Sequence, residues 1–201
     1  MGELKFQNGS LINRLMVKDA VIKKLIKEHG ELTWSTERDL FEALIGAIIS
    51  QQLSVKASDT IFLRFKKLYR TFPTAKQILK TSDTKLRTAG LSGAKASYVK
   101  SLAEFVETKQ LILENLKNLD DENVINELTK VKGIGKWTAE MILIFTLRRP
   151  DVFSLGDLGL RKAVSNLYGV NINDLTQIEK ISLKWKPYRS MVSRYLWKSL
   201  G

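Results

Sequence analysis

The stretch LTKVKGIGKWTAEMILIF, residues 128–145, interrupts one helical pattern with two glycines and begins another at once. Gly133 and Gly135 stand two residues apart, and apolar residues at helical spacing resume directly after them. Glycines in such a turn permit positive φ and a close approach of another backbone. Because a helix follows immediately, its first amides point outward at the positive end of the helix dipole. The stretch therefore predicts a helix–hairpin–helix that binds a phosphate through backbone amides.

The charges around this turn are consistent with a phosphate ligand. Lys130, Lys132 and Lys136 flank it, and the 201-residue chain carries 33 Lys and Arg against 21 Asp and Glu, a formal net charge of +12. Such an excess favours a polyanionic partner, since each cation near a phosphate releases condensed counterions. A lone Gly-x-Gly is also found in plain connections between helices. The basic flank and the net charge favour phosphate binding over that alternative.

The rest of the chain predicts an all-α fold of roughly ten helices joined by short turns. DAVIKKLIKEHG has helical apolar spacing and ends on Gly30 as a C-cap, and residues 40–49 form a wide apolar stripe. WTAEMILIFTL is nearly all apolar and is expected to be central and buried, whereas RPDVFSL reads as extended.

Several classes of site and location are excluded. The chain has no cysteine, so it forms no disulfide, zinc–thiolate site or iron–sulfur cluster, and its single histidine, His29, lies at a predicted helix end. The first residues lack a hydrophobic signal region, and no apolar run approaches the roughly 18 residues of a membrane span. We therefore expect an intracellular protein.

Five separate stretches resemble the motifs of one family. LTKVKGIGKWTAEMIL is similar to the hairpin, and RRPDVFSLGD to the Gly/Pro-rich loop ending in aspartate, of the helix–hairpin–helix DNA glycosylase superfamily. FEALIGAIISQQLS, GLSGAKASYVKSLA and WKPYRSMVSRYLW resemble the 3-methyladenine DNA glycosylase II branch. The resemblance runs from about Asp19 onward. It implies two helical lobes with the active-site cleft between them, one formed by residues 1–36 with 147–201 and the other by 37–146, which includes the hairpin at 128–146.

The resemblance places Asp157 at the catalytic position. Cleaving an N-glycosidic bond builds positive charge on the sugar, and a neighbouring carboxylate stabilises that charge and orients or deprotonates a water. One acid is enough when the leaving base is already cationic, as alkylated purines are. The alternative role is an N-cap for the helix LGLRKAV, and the two roles can coexist.

Trp137 decides between two mechanisms. In bifunctional relatives the residue two after the second hairpin glycine is a lysine that forms a Schiff base with the sugar. Here that residue is Trp137, and the adjacent Lys136 points about 100° away around the helix. The sequence therefore predicts a monofunctional enzyme in which water is the nucleophile.

The family's substrate contacts transfer to named positions. A base inside a duplex must be flipped out, and the resemblance implies that Gln52 or Gln51 fills the gap, with Gln52 the better match and helix capping the alternative. The flipped base would stack in an aromatic pocket, which favours a cationic base. The pocket residues are expected to be Trp137, Tyr188, Trp34 and Met141. Met141 stands where a known member has tyrosine, and Trp185 and Trp197 are expected in the core.

The expected DNA phosphate contacts are Gly133, Gly135, Lys132, Lys136 and Lys95. No organic cofactor and no metal bound by side chains is implied, although a monovalent cation can bridge hairpin carbonyls and a DNA phosphate in relatives. The sequence thus predicts a monomeric glycosylase acting on double-stranded DNA that contains alkylated bases. Two alternatives stay open: a glycosylase for a neutral lesion such as uracil or an oxidised purine, with Glu140 a candidate to activate the leaving group, and a non-enzymatic helix–hairpin–helix DNA-binding protein.

Overall fold

The computed structural model describes residues 19–34 and 39–201, and within these ranges the chain is helical without a β-strand. This confirms the predicted all-α class. The α-helices are, in chain order, α1 Ala20–His29, α2 Leu40–Ser50, α3 Val55–Lys67, α4 Ala75–Lys80, α5 Asp83–Thr88, α6 Gly93–Glu107, α7 Asp121–Thr129, α8 Lys136–Phe145, α9 Leu158–Tyr168, α10 Leu175–Leu183 and α11 Arg189–Lys198, with a 3-10 helix at Leu113–Asn118. None of these helices has the length and apolar composition needed to cross a membrane.

The chain divides into two compact units, one drawn from segments 1–35 and 148–201 and the other from segment 36–147. In the second unit, helix α2 contacts α3, α6 and α8. Its predicted apolar stripe is buried, with Leu44, Ile45, Ile48 and Ile49 inaccessible to solvent. The Asp39 side chain accepts the amide of Glu42 and so caps the start of this helix. Helix α2 is therefore the central element of its unit.

Helix α8 is largely buried, as its apolar composition predicts, but one side of it is exposed. Ala139, Leu143 and Ile144 are inaccessible to solvent, whereas Trp137 and Phe145 are each 46% exposed. Helix α8 contacts α2 and α7. The apolar residues of α8 thus lie on two faces: one packs in the core, and the other carries the exposed Trp137 near the start of the helix.

In the first unit, α11 packs against α1 and α9, and α9 packs against α10. Asp19 joins these helices. It caps α1 by accepting the amide of Val21, and its Oδ2 accepts the Tyr168 hydroxyl at 2.8 Å and the Trp185 indole N–H at 3.1 Å. Burial, reinforced by the hydrogen bond to Asp19, raises the pKa of Tyr168. Gly30 ends α1 at φ +66°, as predicted.

Candidate active site and hairpin

The predicted hairpin forms between α7, which ends at Thr129, and α8, which begins at Lys136. Its turn is closed by the Ile134 amide, which donates to the Val131 carbonyl at 3.0 Å. Gly135 is the N-cap residue of α8 and has an extended backbone with no side-chain cap. The helix therefore starts with amides that its N-cap side chain does not satisfy, which is the arrangement that suits an anion.

Gly133 is required by both its backbone and its surroundings. Its φ is +91°, a conformation that L side chains rarely adopt, and a β-carbon there would lie 2.2 Å from Cγ of Tyr98. This short distance shows that the ring of Tyr98, a residue of α6, packs directly on the hairpin backbone. Gly135 differs, since its φ is −91° and an added β-carbon would meet nothing within 4 Å. The two glycines thus have different roles.

Gln51 also fixes the hairpin. Its side-chain amide donates to the Gly133 carbonyl at 2.8 Å and to the Thr138 hydroxyl at 3.3 Å. Gln51 directly follows α2, so the end of that helix is tied to both sides of the hairpin turn. The next residue, Gln52, is exposed and has a φ of +56°. Non-glycine residues at positive φ are uncommon and cluster at functional sites.

Lys95 caps the end of α2. Its ammonium donates to the Ile49 carbonyl at 2.7 Å and to the Gln51 carbonyl at 2.8 Å. Burial lowers its pKa. Two of the three N–H donors of Lys95 are therefore bonded to protein carbonyls. The sequence did not predict these bonds. Lys132 and Lys136, in contrast, are exposed beside the hairpin.

These parts surround one cavity of about 460 Å³. Its wall consists of the α2 end, the start of α6 and the hairpin, and the lining residues are Gln51, Gln52, Ser92, Ala94, Lys95, Tyr98, Gly133, Ile134 and Gly135. Five of the predicted DNA contacts therefore line a single recess: Gln51, Gln52, Lys95, Gly133 and Gly135.

Asp157 stands at the N-terminus of α9, in the unit drawn from segments 1–35 and 148–201. It is 9% exposed, and its Oδ1 accepts the Leu160 amide at 2.7 Å and the Trp197 indole N–H at 2.9 Å. The first bond is an N-cap, as the alternative interpretation predicted. The second comes from a helix 40 residues further along the chain. The carboxylate is thus held in a defined orientation.

The loop before Asp157 is anchored to the start of α11. Arg189 forms a bidentate ion pair with Asp151, with Nε–Oδ1 at 2.8 Å and Nη2–Oδ2 at 3.0 Å. The Ser190 amide donates to the Pro150 carbonyl at 3.0 Å, and the Val152 amide donates to the Ser190 hydroxyl at 2.9 Å. Paired, partly buried contacts of this kind fix a loop that has no regular secondary structure.

The predicted pocket aromatics occur in both units. Trp137 and Met141 lie one helical turn apart on α8, hence on the same face. Tyr188 is the half-buried N-cap residue of α11. Trp34 is half-buried, and the Arg194 guanidinium covers its ring at 4.2 Å. One face of the Trp34 ring is therefore already stacked within the protein.

Known proteins resemble this chain over most of its length. Residues 45–188 match the model of the HhH-GPD superfamily of base excision DNA repair proteins. The chain belongs to this superfamily. DNA-3-methyladenine glycosylase 1 of Schizosaccharomyces pombe is 37% identical over 184 residues, which cover 88% of this chain and 79% of that protein.

Solved structures of members of the superfamily agree in fold. The Schizosaccharomyces pombe 3-methyladenine DNA glycosylase, in complex with abasic DNA, matches with a TM-score of 0.85 at 35% identity, over 94% of this chain and 95% of that one. The DNA-3-methyladenine glycosidase of Bacillus halodurans matches with a TM-score of 0.83 at 34% identity, over 95% and 89% of the two chains.

Sequence reasoning missed the contact between Trp197 and Asp157. We expected Trp185 and Trp197 in the core, and Trp185 is indeed 1% exposed. Trp197 also packs on this core, but it is only partly buried and its indole N–H binds Asp157. Nothing in the local pattern of SRYLWKSL indicates which atom of the indole is buried. The one feature of the sequence that indicates a close neighbour of Asp157 is the glycine at position 159, two residues after it.

Proposed function

We propose that the protein is a monofunctional DNA glycosylase that flips alkylated, cationic purines such as 3-methyladenine or 7-methylguanine out of the duplex. It hydrolyses their N-glycosidic bonds and so initiates base excision repair. The observation that carries this proposal is Asp157, a buried carboxylate oriented by two N–H donors in the loop that gives the superfamily its acid. The relatives named above, called 3-methyladenine glycosylases, support the alkylated-base assignment.

The chemistry requires one carboxylate and one water. As the glycosidic bond lengthens, the sugar takes on oxocarbenium character, and Asp157 stabilises the positive charge. The same carboxylate accepts a proton from the attacking water. An alkylated purine leaves as a neutral molecule because it is cationic while attached, so no acid is needed to protonate it. Trp137 stands where a lyase would carry its lysine, so the abasic product stays intact.

The hairpin holds the DNA backbone. The first amides of α8 donate hydrogen bonds to a phosphate, and the exposed Lys132 and Lys136 supply charge beside it. A monovalent cation on the hairpin carbonyls would share the Gly133 oxygen with the Gln51 amide, which lies 2.8 Å away. A carbonyl oxygen has two lone pairs, so this arrangement is compatible with such an ion.

Gln52 fills the gap that the flipped base leaves. Gln51 is engaged with the hairpin, whereas Gln52 is exposed at a positive φ beside the same cavity. The residues that the resemblance assigns to the flipped base are Trp137 and Tyr188, which offer aromatic faces for stacking, together with Trp34 and Met141. We expect the protein to act on DNA as a monomer.

The proposal is tested by single-turnover release of 7-methylguanine from a duplex that contains one such base. Asp157→Asn should abolish release while duplex binding is retained or improved, because Asn keeps the N-cap but loses the charge. Asp174→Asn is the matched control, since Asp174 caps α10 through the Gln177 amide at 2.9 Å. It should release base at the wild-type rate.

Three other results would change the assignment. Release of uracil or 8-oxoguanine in preference to 7-methylguanine would favour a glycosylase for neutral lesions. Duplex binding without release of any base would favour a non-enzymatic DNA-binding protein. Near-normal turnover by Asp157→Asn would remove Asp157 from the mechanism.

A further inference from the structure

Asp157, like Asp19, is a capping aspartate that binds an indole, but at Asp157 the indole and the capping amide meet at the same oxygen. At Asp19, Oδ1 accepts the amides of Val21 and Ile22, while Oδ2 accepts Tyr168 and Trp185. At Asp157, the Leu160 amide and the Trp197 indole N–H share the single oxygen Oδ1. Two donors that reach one oxygen from different helices fix the plane of the whole carboxylate, because the group is rigid and planar.

Gly159 makes room for this arrangement. It lies in the first turn of α9, and a β-carbon there would stand 3.0 Å from Asp157 Oδ1, 3.2 Å from Trp197 Cδ1 and 3.3 Å from Trp197 Nε1. The backbone does not require glycine, since Gly159 is not among the positive-φ residues. Glycine is a poor helix former compared with alanine, so this position sacrifices helix propensity for space.

From these contacts we infer that Trp197 is a positioning residue for Asp157 and that Gly159 admits its indole to the carboxylate. The inference rests on the proposed function, in which Asp157 acts on the sugar. A carboxylate turned out of its orientation would stabilise the developing charge less well, and small misplacements cost large factors in rate. The indole also donates to the ionised form of the acid, which is the form that the reaction needs.

A purely structural role for Trp197 predicts a different pattern. Packing alone would make Trp197→Phe less stable without a specific loss in the chemical step. The stability of Gly159→Ala would not separate the two accounts, because its β-carbon meets the same close contacts in both. The two accounts therefore differ in whether base release slows specifically while duplex affinity is kept.

The test uses single-turnover 7-methylguanine release, duplex affinity and thermal stability of four variants: Trp197→Phe, Gly159→Ala, their combination, and Gly156→Ala. The last is a matched control in the same loop, where an added β-carbon meets nothing within 4 Å. We expect about ten- to a hundredfold slower release by Trp197→Phe and Gly159→Ala, with duplex affinity within about twofold of wild type. Gly156→Ala should stay within about twofold in both. The combined variant should be no slower than the slower single variant, because both changes disturb one hydrogen bond.

A spectroscopic measurement on the same proteins separates this inference from the proposed function. The chain has four tryptophans, so the indole N–H signal missing in Trp197→Phe identifies Trp197 in a ¹H–¹⁵N spectrum. That signal should move in Gly159→Ala and Asp157→Asn but not in Gly156→Ala. A wild-type protein that releases no base refutes the proposed function while the signal still reports the contact.

The positioning role is overturned by any of three results. The first is release of base by Gly159→Ala at the wild-type rate. The second is a loss of rate in the combined variant equal to the product of the two single losses. The third is an indole signal that stays in place in Gly159→Ala while the rate falls. If Gly159→Ala does not fold, Trp197→Phe decides alone: wild-type release by that variant overturns the inference.

Discussion

The ring of Tyr98 lies so close to Gly133 that a β-carbon on Gly133 would stand 2.2 Å from Tyr98 Cγ. A side chain at this position meets a steric conflict as well as an unfavourable φ of +91°. We expect Gly133→Ala to lower the free energy of unfolding by about 1–3 kcal/mol from backbone strain, with overpacking in addition. Urea denaturation would measure the loss. Stability equal to wild type would mean that Tyr98 moves aside without cost.

Gly135 offers the cleaner test of phosphate binding. Aspartate is a favourable N-cap and has space at this position, so Gly135→Asp should fold at least as stably as wild type. It also places a negative charge at the proposed phosphate site. We expect affinity for damaged and undamaged duplexes to fall alike, by about tenfold or more at fixed salt, as for loss of a hydrogen bond to a charged group.

The matched control is Ser82→Asp, which adds the same charge at the N-cap of α5. It changes the net charge equally but lies outside the hairpin, so duplex affinity should change little. An equal loss in the two variants would show that affinity follows net charge alone and would contradict a site at the start of α8.

Borohydride should trap no covalent enzyme–DNA adduct during base release. A trapped adduct requires an amine at the sugar, and Trp137 occupies the position of the Schiff-base lysine in lyases. Gel analysis of a labelled duplex would check this, and a parallel reaction without borohydride, cleaved afterwards by alkali at the abasic product, would show turnover. An adduct that disappears in Lys136→Ala would overturn the monofunctional assignment.

Base selection should depend on stacking against Trp137 and Tyr188. Tyr188→Phe keeps the ring and should retain most activity, whereas Tyr188→Ala and Trp137→Ala should each lose much more, since stacking on an aromatic ring is worth about 1–3 kcal/mol per base. Phe145→Ala is the control for Trp137→Ala, because both aromatics lie on α8 and are 46% exposed.

Single-turnover release of 7-methylguanine measures these effects. Equal losses in Tyr188→Phe and Tyr188→Ala would mean that the hydroxyl reads the base. A loss in Phe145→Ala as large as that in Trp137→Ala would assign the effect to the helix surface rather than to stacking.

Alkaline pH should destabilise the fold through Tyr168. The pKa of Tyr168 is raised by burial and by Asp19, whereas in the unfolded chain its hydroxyl ionises near its ordinary pKa of about 10. This contribution is fully present below that pH and is lost as the pH rises above it, since the unfolded chain releases the proton first. Urea unfolding at about pH 8 and about pH 10.5 should show a smaller decrease in Tyr168→Phe than in wild type. Identical decreases would contradict the role of Tyr168.

Local patterns were sufficient to predict the helical class, the hairpin and the capping glycine at Gly30, because helix periods and turn residues are properties of short segments. The stripe of α2 was predictable for the same reason. The exposure of Trp137 was not, because an almost wholly apolar helix has no polar face to show which side meets solvent.

At the site, the roles of several residues depend on contacts between distant segments, which the sequence does not show. Lys95 reads as a free cation, yet its ammonium caps a helix that ends more than 40 residues earlier. The resemblance favours Gln52 over Gln51 for the gap, but the physical difference between them, the hydrogen bond from Gln51 to Gly133, is visible only in the structure. Trp197 reads as a core residue, because a pattern of apolar spacing locates a side chain but not its single polar atom.

The bonds of Asp19 bear on the order in which the chain can assemble during synthesis. Asp19 binds Tyr168 and Trp185, 149 and 166 residues later, and the Tyr195 hydroxyl reaches back to Gly30. On a ribosome, α1 is made before these partners, which lie on or beside α9, α10 and α11, whereas the segment 36–147 has its own core by then. Helix α1 therefore cannot form these hydrogen bonds until α9 to α11 have been made. The unit that carries Asp157 is thus completed after the unit formed by segment 36–147.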